Sequence, residues 1–285
     1  MAQCHQAGQR QGQLTLNRWC YLVNNLLKNK LTSGEVALCM GLRQSRTVDI
    51  APLVQACGFD ALYVDMEHSP VGFEIASAIC IAAMGYGVTP LVRVPGHLGQ
   101  DISRALDGGA QGVILPHVNT PEQAAAIVSF AKYPPLGHRS VMGAGPASAY
   151  RSQPLAEINR AGNADTMVII MLETPEGVAN AHAIAAVPGV DMLLIGSNDL
   201  CTEMGIPGQL RHPDLLAAYQ TVAKACHENR IALGVGGIRG DADLQMQLIR
   251  LGARFLIAGS DTTYLSAAAS KDAGALRELI GNLSA

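Results

Sequence analysis

The chain has 285 residues, 49% of them hydrophobic, with a formal net charge of -3 at pH 7, which is enough apolar material for one sizeable core. So small a charge, no basic run and only 4% aromatic residues argue against nucleic acid or an anionic membrane surface as a partner. Seven cysteines without a C-x-x-C pair read as free thiols rather than a disulfide framework. With no apolar stretch of membrane-spanning length and no signal-peptide core, the expectation is a cytoplasmic protein.

Residues 1–23 are polar and Gln-rich and fit nothing that follows; they are expected to be an extension laid on the surface or disordered. From residue 24 one unit recurs: a short apolar run, a turn, then an amphipathic stretch. The predicted strands are 37–42, 61–66, 90–94, 112–116, 167–172, 192–195, 232–235 and 255–257. Small-residue turns precede several of them, as in Cys57-Gly58-Phe59-Asp60, Gly108-Gly109-Ala110, Pro188-Gly189-Val190-Asp191 and Leu251-Gly252-Ala253. A glycine there ends a helix and returns the chain to the next strand. Eight apolar strands separated by helices predict an α/β protein, a single (β/α)8 TIM barrel over residues 24–285. An open doubly wound sheet would need fewer repeats and a Gly-rich turn after the first strand, and Gly41-Leu42-Arg43-Gln44 is not one. Between Pro116 and Met167 lie about fifty residues, long enough to be read as a loop over the mouth of the site or a contact with a neighbouring subunit.

Chemistry in such barrels sits where strands end. The fifth and sixth strands end at Glu173, in Met-Leu-Glu-Thr-Pro, and Asp199, in Gly-Ser-Asn-Asp-Leu, 26 positions apart. That is one repeat, so the two carboxylates should stand side by side. A carboxylate at the end of a buried strand needs a partner for its charge, and a divalent, oxygen-loving cation serves both. Either acid alone could instead cap the following helix. The second strand ends in Asp65-Met66-Glu67-His68, the third runs through Arg93, Asp107 precedes the fourth, and His117 follows it as a candidate lining residue. Singly, His68 could cap a helix, Arg93 could pair with Glu67 and Asp107 could end a helix; together they supply an acid/base, a cation and a further acid.

Gly58-Phe-Asp-Ala-Leu-Tyr-Val-Asp-Met-Glu-His-Ser-Pro, Leu91-Val-Arg-Val-Pro, Leu106-Asp-Gly-Gly-Ala-Gln-Gly-Val, Tyr133-Pro-Pro-Leu-Gly-His-Arg-Ser, Leu172-Glu-Thr and Gly196-Ser-Asn-Asp-Leu resemble, in order and spacing, the HpcH/HpaI aldolase family over about residues 24–265. The resemblance implies a barrel of the phosphoenolpyruvate/pyruvate-binding type, often hexameric, with a metal-dependent class II aldolase activity on pyruvate and related 2-oxo acids. It implies Glu173 and Asp199 as metal ligands, His68 as acid/base, Arg93 at the 2-oxo group, and Asp107 supporting His68 from its own or an adjacent subunit. The backbone around Gly196, Ser197 and Asn198 would hold the substrate carboxylate. Two departures touch the pocket: Met171 stands where many members have Gln, and Gly-Ser-Asn-Asp where many read Gly-Pro-Ala-Asp.

Breaking a carbon–carbon bond beside a 2-oxo acid forms an enolate, whose charge Mg²⁺ or Mn²⁺ (Co²⁺ also fits) and Arg93 would stabilise. An all-oxygen ligand set disfavours zinc. Lys132 and Lys224 fall in predicted helices away from the strand ends, which argues against Schiff-base chemistry. Decarboxylation of oxaloacetate-like acids needs the same enolate. Glycines after the seventh and eighth strands, Gly234-Val-Gly-Gly-Ile and Ala258-Gly-Ser-Asp, leave a phosphoenolpyruvate or phosphonate enzyme as a further alternative, although tight turns alone explain them. A non-catalytic barrel would have no use for the buried charges. The aldehyde end of the substrate is expected near His138, Arg139 and Tyr150, with Arg139 suited to an acidic tail.

Overall fold

The computed structural model of the chain describes residues 24–283, so the polar extension predicted over 1–23 lies outside the described residues. Eight parallel strands close into a barrel in the order β1 to β8, each paired with its sequence neighbours. They are β1 (Ala37–Leu42), β2 (Ala61–Asp65), β3 (Thr89–Arg93), β4 (Gly112–Leu115), β5 (Met167–Leu172), β6 (Met192–Gly196), β7 (Ala232–Gly236) and β8 (Ala253–Ser260). The predicted barrel is therefore the fold. β1 and β5 have the predicted bounds, and most others differ by a residue at one or both ends. β8 is much longer than the predicted 255–257, because its register shifts against both β7 and β1 and the pairing continues past the apolar run.

Strand alternation sorts the side chains into two cores. One phase, with Leu62, Val64, Val92, Val113 and Leu115, faces outward and packs under the helices against Ile79, Ile102, Ile127 and Leu215. The other phase fills the barrel interior: Tyr63 of β2, Leu91 of β3, Ile169 and Met171 of β5, Met192 and Leu194 of β6, and Phe255 of β8. Helix α1 (Leu26–Thr32) stoppers the N-terminal end. Its Leu27 joins the interior core, while the Asn25 amide donates to the carbonyls of Gln111 (3.0 Å) and Asp165 (2.8 Å).

The remaining helices alternate with the strands: α2 (Ile50–Ala56), α3 (Phe73–Gly85), α4 (Gly99–Asp107), α5 (Pro121–Ala131), α6 (Leu155–Asp165), the short α7 (Pro175–Ala179) and α8 (Ala181–Ala185), α9 (Ser197–Glu203), α10 (Pro213–Asn229), α11 (Ala242–Leu251) and α12 (Asp261–Leu283). The long interval before β5 holds α5, a 3-10 turn at Pro146–Ser148 and α6. Everything after α5 lies between the C-terminus of a helix and the start of a strand. That places it at the N-terminal end of the barrel, and it does not cover the mouth of its own barrel as one expectation had it. It is tied there by Asn163, whose side chain bonds the backbone N–H (2.7 Å) and carbonyl (3.0 Å) of Tyr133, and by the buried Lys132, which donates to the carbonyls of Thr166 and Asn163.

Candidate active site at the barrel mouth

The inward phase of the strands carries the polar residues to the mouth. Two positions beyond Tyr63, Leu91, Met171 and Leu194 stand Asp65, Arg93, Glu173 and Gly196. Apolar residues thus make the floor and charged ones the layer above it.

Glu173 is 1% exposed. Its Oε2 accepts the backbone N–H of His117 at 3.0 Å and lies 3.2 Å from His117 Nδ1. Burial, with added repulsion from Asp199 and Glu67, pushes its carboxyl up to about 7 against the pull of His117. Gly196 leaves room for these side chains, since a Cβ would stand 2.6 Å from Glu173 Oε1 and 2.7 Å from Met171 Cε and one of them would have to shift. Asp199, in the first turn of α9, is exposed to the mouth. His117 has φ 55°, a left-handed conformation that costs a non-glycine residue about 1 kcal/mol. Its ring spans two acids, with Nε2 2.9 Å from Glu67 Oε1.

Arg93 is held in plane by Asp65, through Nε to Oδ1 at 3.0 Å and Nη2 to Oδ2 at 2.6 Å, the two-pronged geometry that suits guanidinium and carboxylate. Its Nη1 lies 3.0 Å from Glu67 Oε2 and 3.9 Å from the Met171 sulfur. Asp65 also accepts Arg43 Nε at 2.8 Å and the backbone N–H groups of Glu67 (3.2 Å) and His68 (3.1 Å). Burial alone would raise the Asp65 carboxyl, but the bonds from Arg93, His68 and Arg43 hold it below the usual carboxylate range. The expected Arg93–Glu67 pair therefore exists beside a stronger one to Asp65. Asp65, Arg43 and the bridging role of His117 were not assigned from sequence. Asp65 was legible as the inward strand-end residue next after Tyr63; the bridge made by His117 depends on a backbone conformation that no residue pattern signals.

His68 is half exposed and lines a cavity of about 250 Å³ with Arg43, Arg93, Met171, Gly196, Asn198, Asp199 and Arg239. Ser197 is fully buried; its hydroxyl donates to the Gly236 carbonyl (2.6 Å) and accepts from Tyr219 (2.6 Å). Its side chain is thus structural, which leaves the Ser197 backbone to face a ligand. The predicted residues His68, Arg93, Glu173, Gly196, Ser197, Asn198 and Asp199 thus come together. Asp107 does not join them within one chain. It ends α4, just before β4 begins, and pairs at 2.6 Å with Arg139 at the opposite end of the barrel. His138, the residue before Arg139, lies there too, its N–H donating to the Ser129 carbonyl near the end of α5. The expected role of His138 and Arg139 at the aldehyde end of the same chain's substrate is therefore not supported by their position. Lys132 is at the far end as well, and Lys224 forms a surface pair with Glu228 on α10.

The donor set fits a hard divalent cation. Glu173 carries a carboxyl whose charge burial and two neighbouring acids oppose. Among the described residues no three His, Cys, Asp or Glu side chains form a ready-made cage, so two carboxylates would leave positions open for a ligand.

The chain is similar to known proteins along most of its length. A 4-hydroxy-4-methyl-2-oxoglutarate aldolase of Hapsidospora irregularis is 38% identical over 90% of this chain and 96% of its own length. A hydroxypyruvate/pyruvate aldolase of Sagittula stellata is 35% identical over 87% and 96%. The crystal structure of an HpcH/HpaI aldolase from Desulfitobacterium hafniense superposes with a TM-score of 0.84 at 29% identity, covering 88% of this chain and 96% of that one. Residues 43–268 match the HpcH/HpaI aldolase/citrate lyase family, and the chain belongs to that family.

Proposed function

We propose that the protein is a divalent-metal-dependent class II aldolase that reversibly cleaves 4-hydroxy-2-oxo acids to pyruvate and an aldehyde. Relatives named 4-hydroxy-4-methyl-2-oxoglutarate aldolase, hydroxypyruvate/pyruvate aldolase and 4-hydroxy-2-oxo-heptane-1,7-dioate aldolase support a carbon–carbon lyase. The observation that carries the reading is the buried Glu173, poised near pH 7 beside Asp199, with Arg93 fixed in the same ring of strand ends.

Glu173 and Asp199 would hold Mg²⁺ or Mn²⁺, with Co²⁺ a further fit; when bound, the ion supplies charge against the oxyanion that develops at the 2-oxo group. Arg93 donates to the same oxygen, and Asp65 keeps its guanidinium from turning away. The backbone around Gly196, Ser197 and Asn198 receives the substrate carboxylate. His68 takes the proton of the 4-hydroxyl as the C3–C4 bond breaks. The bonding electrons pass to C3 and on to the enolate, which a proton at C3 converts to pyruvate; the reverse sequence forms the bond. The reading includes a cytoplasmic homo-oligomer, a hexamer by family resemblance, in which Asp107 supports His68 from a neighbouring subunit.

Proton–deuterium exchange at the pyruvate methyl group, followed by NMR in heavy water, tests this without a choice of aldehyde. Exchange is expected with Mg²⁺ or Mn²⁺ and not with excess chelator; its absence under both conditions refutes the reading. His68→Ala should slow 4-hydroxy-2-oxo acid cleavage by roughly 10²-fold or more with metal affinity near that of the parent.

A further inference from the structure

At the mouth, on the side away from Glu173, two arginines share the cavity with His68 and Asp199. Arg43 follows β1 and Arg239 follows β7. Neither is absorbed by the chemistry above. Arg43 gives only its Nε to Asp65, and among the described residues its Nη groups carry no hydrogen bond. Arg239 is exposed, meets no carboxylate among the described residues, and has its guanidinium stacked 5.1 Å from the centroid of the Tyr264 ring.

Both are held from one place, the first turn of α12. The Asp261 carboxylate accepts the backbone N–H groups of Arg43 (2.9 Å), Gln44 (2.9 Å) and Ser45 (2.8 Å) and the Ser45 hydroxyl (2.8 Å), which fixes the loop after β1. Three residues on, Tyr264 supports Arg239, its ring seated over Gly259, where a Cβ would come within 2.8 Å. A surface arginine left to solvent samples many rotamers. The Arg43 guanidinium, held at Nε by Asp65, and the Arg239 guanidinium, stacked on Tyr264, line one cavity and make a prepared site for an oxyanion.

We propose that Arg43 and Arg239 form an anion-recognition site at the ends of β1 and β7, which binds a carboxylate or phosphate on the end of the substrate released as the aldehyde or ketone. Resting on the aldolase reading, the proposal narrows the substrate class to 4-hydroxy-2-oxo acids with a second oxyanion. It moves acidic-tail recognition from Arg139, which is spent on Asp107 at the other end of the barrel, to Arg43 and Arg239.

The test runs in the aldol direction, with pyruvate and Mn²⁺ and three acceptors: glyoxylate, glyceraldehyde 3-phosphate and propanal. The parent protein should prefer one anionic acceptor over propanal in kcat/KM, and Arg239→Gln should cut that preference roughly tenfold or more, chiefly through KM. Preference for glyoxylate identifies the anion as a carboxylate, and preference for glyceraldehyde 3-phosphate identifies it as a phosphate. Arg239→Lys, which keeps the charge without the fork, should fall between. No anionic preference in the parent, or an acceptor ratio unchanged in Arg239→Gln, overturns the site. Exchange at the pyruvate methyl group of the parent, read in the same samples, separates this failure from failure of the aldolase reading, which alone would abolish exchange.

Discussion

Replacing Glu173 with Gln removes a charge that the metal-free fold resists. In an unfolded chain the carboxyl titrates near 4.5, and in the folded protein near 7. Below pH 4.5 it is protonated in both states and costs nothing. Between 4.5 and 7 the unfolded chain ionises while the folded protein holds its proton, so the stability this group lends at low pH is progressively lost. Above pH 7 the loss is complete at about 2.5 × 1.36, or about 3 kcal/mol. In excess chelator, Glu173→Gln should therefore melt close to the parent at pH 4.5 and roughly 6–10 °C above it at pH 8.5. Saturating Mn²⁺ should reverse the order at pH 8.5, because only the parent gains from binding. Differential scanning calorimetry at the two pH values, with and without metal, reads all of this. An equal offset between the two proteins at both pH values in chelator would refute the buried, uncompensated carboxylate on which the metal assignment stands.

Gly196→Ala should place a methyl group against Glu173 Oε1 and Met171, costing roughly 1–3 kcal/mol and weakening Mn²⁺ affinity, as isothermal titration would show. Asp65→Asn strands two buried-side guanidinium contacts and should destabilise the fold by roughly 3–5 kcal/mol, measured by urea denaturation, with loss of pyruvate exchange as Arg93 turns.

Much of this was legible in the residues. Strands that are continuous apolar runs between glycine turns can only be buried, and Met167 to Leu172 or Ala37 to Leu42 admit little latitude in their ends. Glu173 and Asp199 followed from the same logic, since a strand end is also a rim position. Asp107 was misplaced at the rim although it precedes its strand. The helix-to-strand side of a repeat faces the other end of the barrel, and composition alone does not mark the difference. The reading of the segment from Tyr133 to Thr166 as a loop over the mouth failed for the same reason, while its other reading, a contact with a neighbouring subunit, is consistent with that place. Which acid clamps Arg93 was beyond sequence, because Asp65 and Glu67 are only two positions apart, at the end of β2 and in the bend that follows it. Arg239 sits in a glycine-rich turn whose most evident feature was its glycines; its stacking on Tyr264 joins residues 25 positions apart across two elements.

The apolar plug of Tyr63, Leu91, Ile169, Met192 and Phe255 separates two polar ends that share no side chain. Among the described residues, a polar lesion below it in the Lys132–Asp191 pair has no hydrogen-bonded route to Glu173 or Arg93. Within one subunit the two ends are free to drift under different selection, the lower for assembly and folding, the upper for what is bound. Paired substitutions drawn one from each end, Asp107 and Arg139 aside, should add in free energy, so a library built at the mouth can be moved onto a lower half stabilised elsewhere without being searched again.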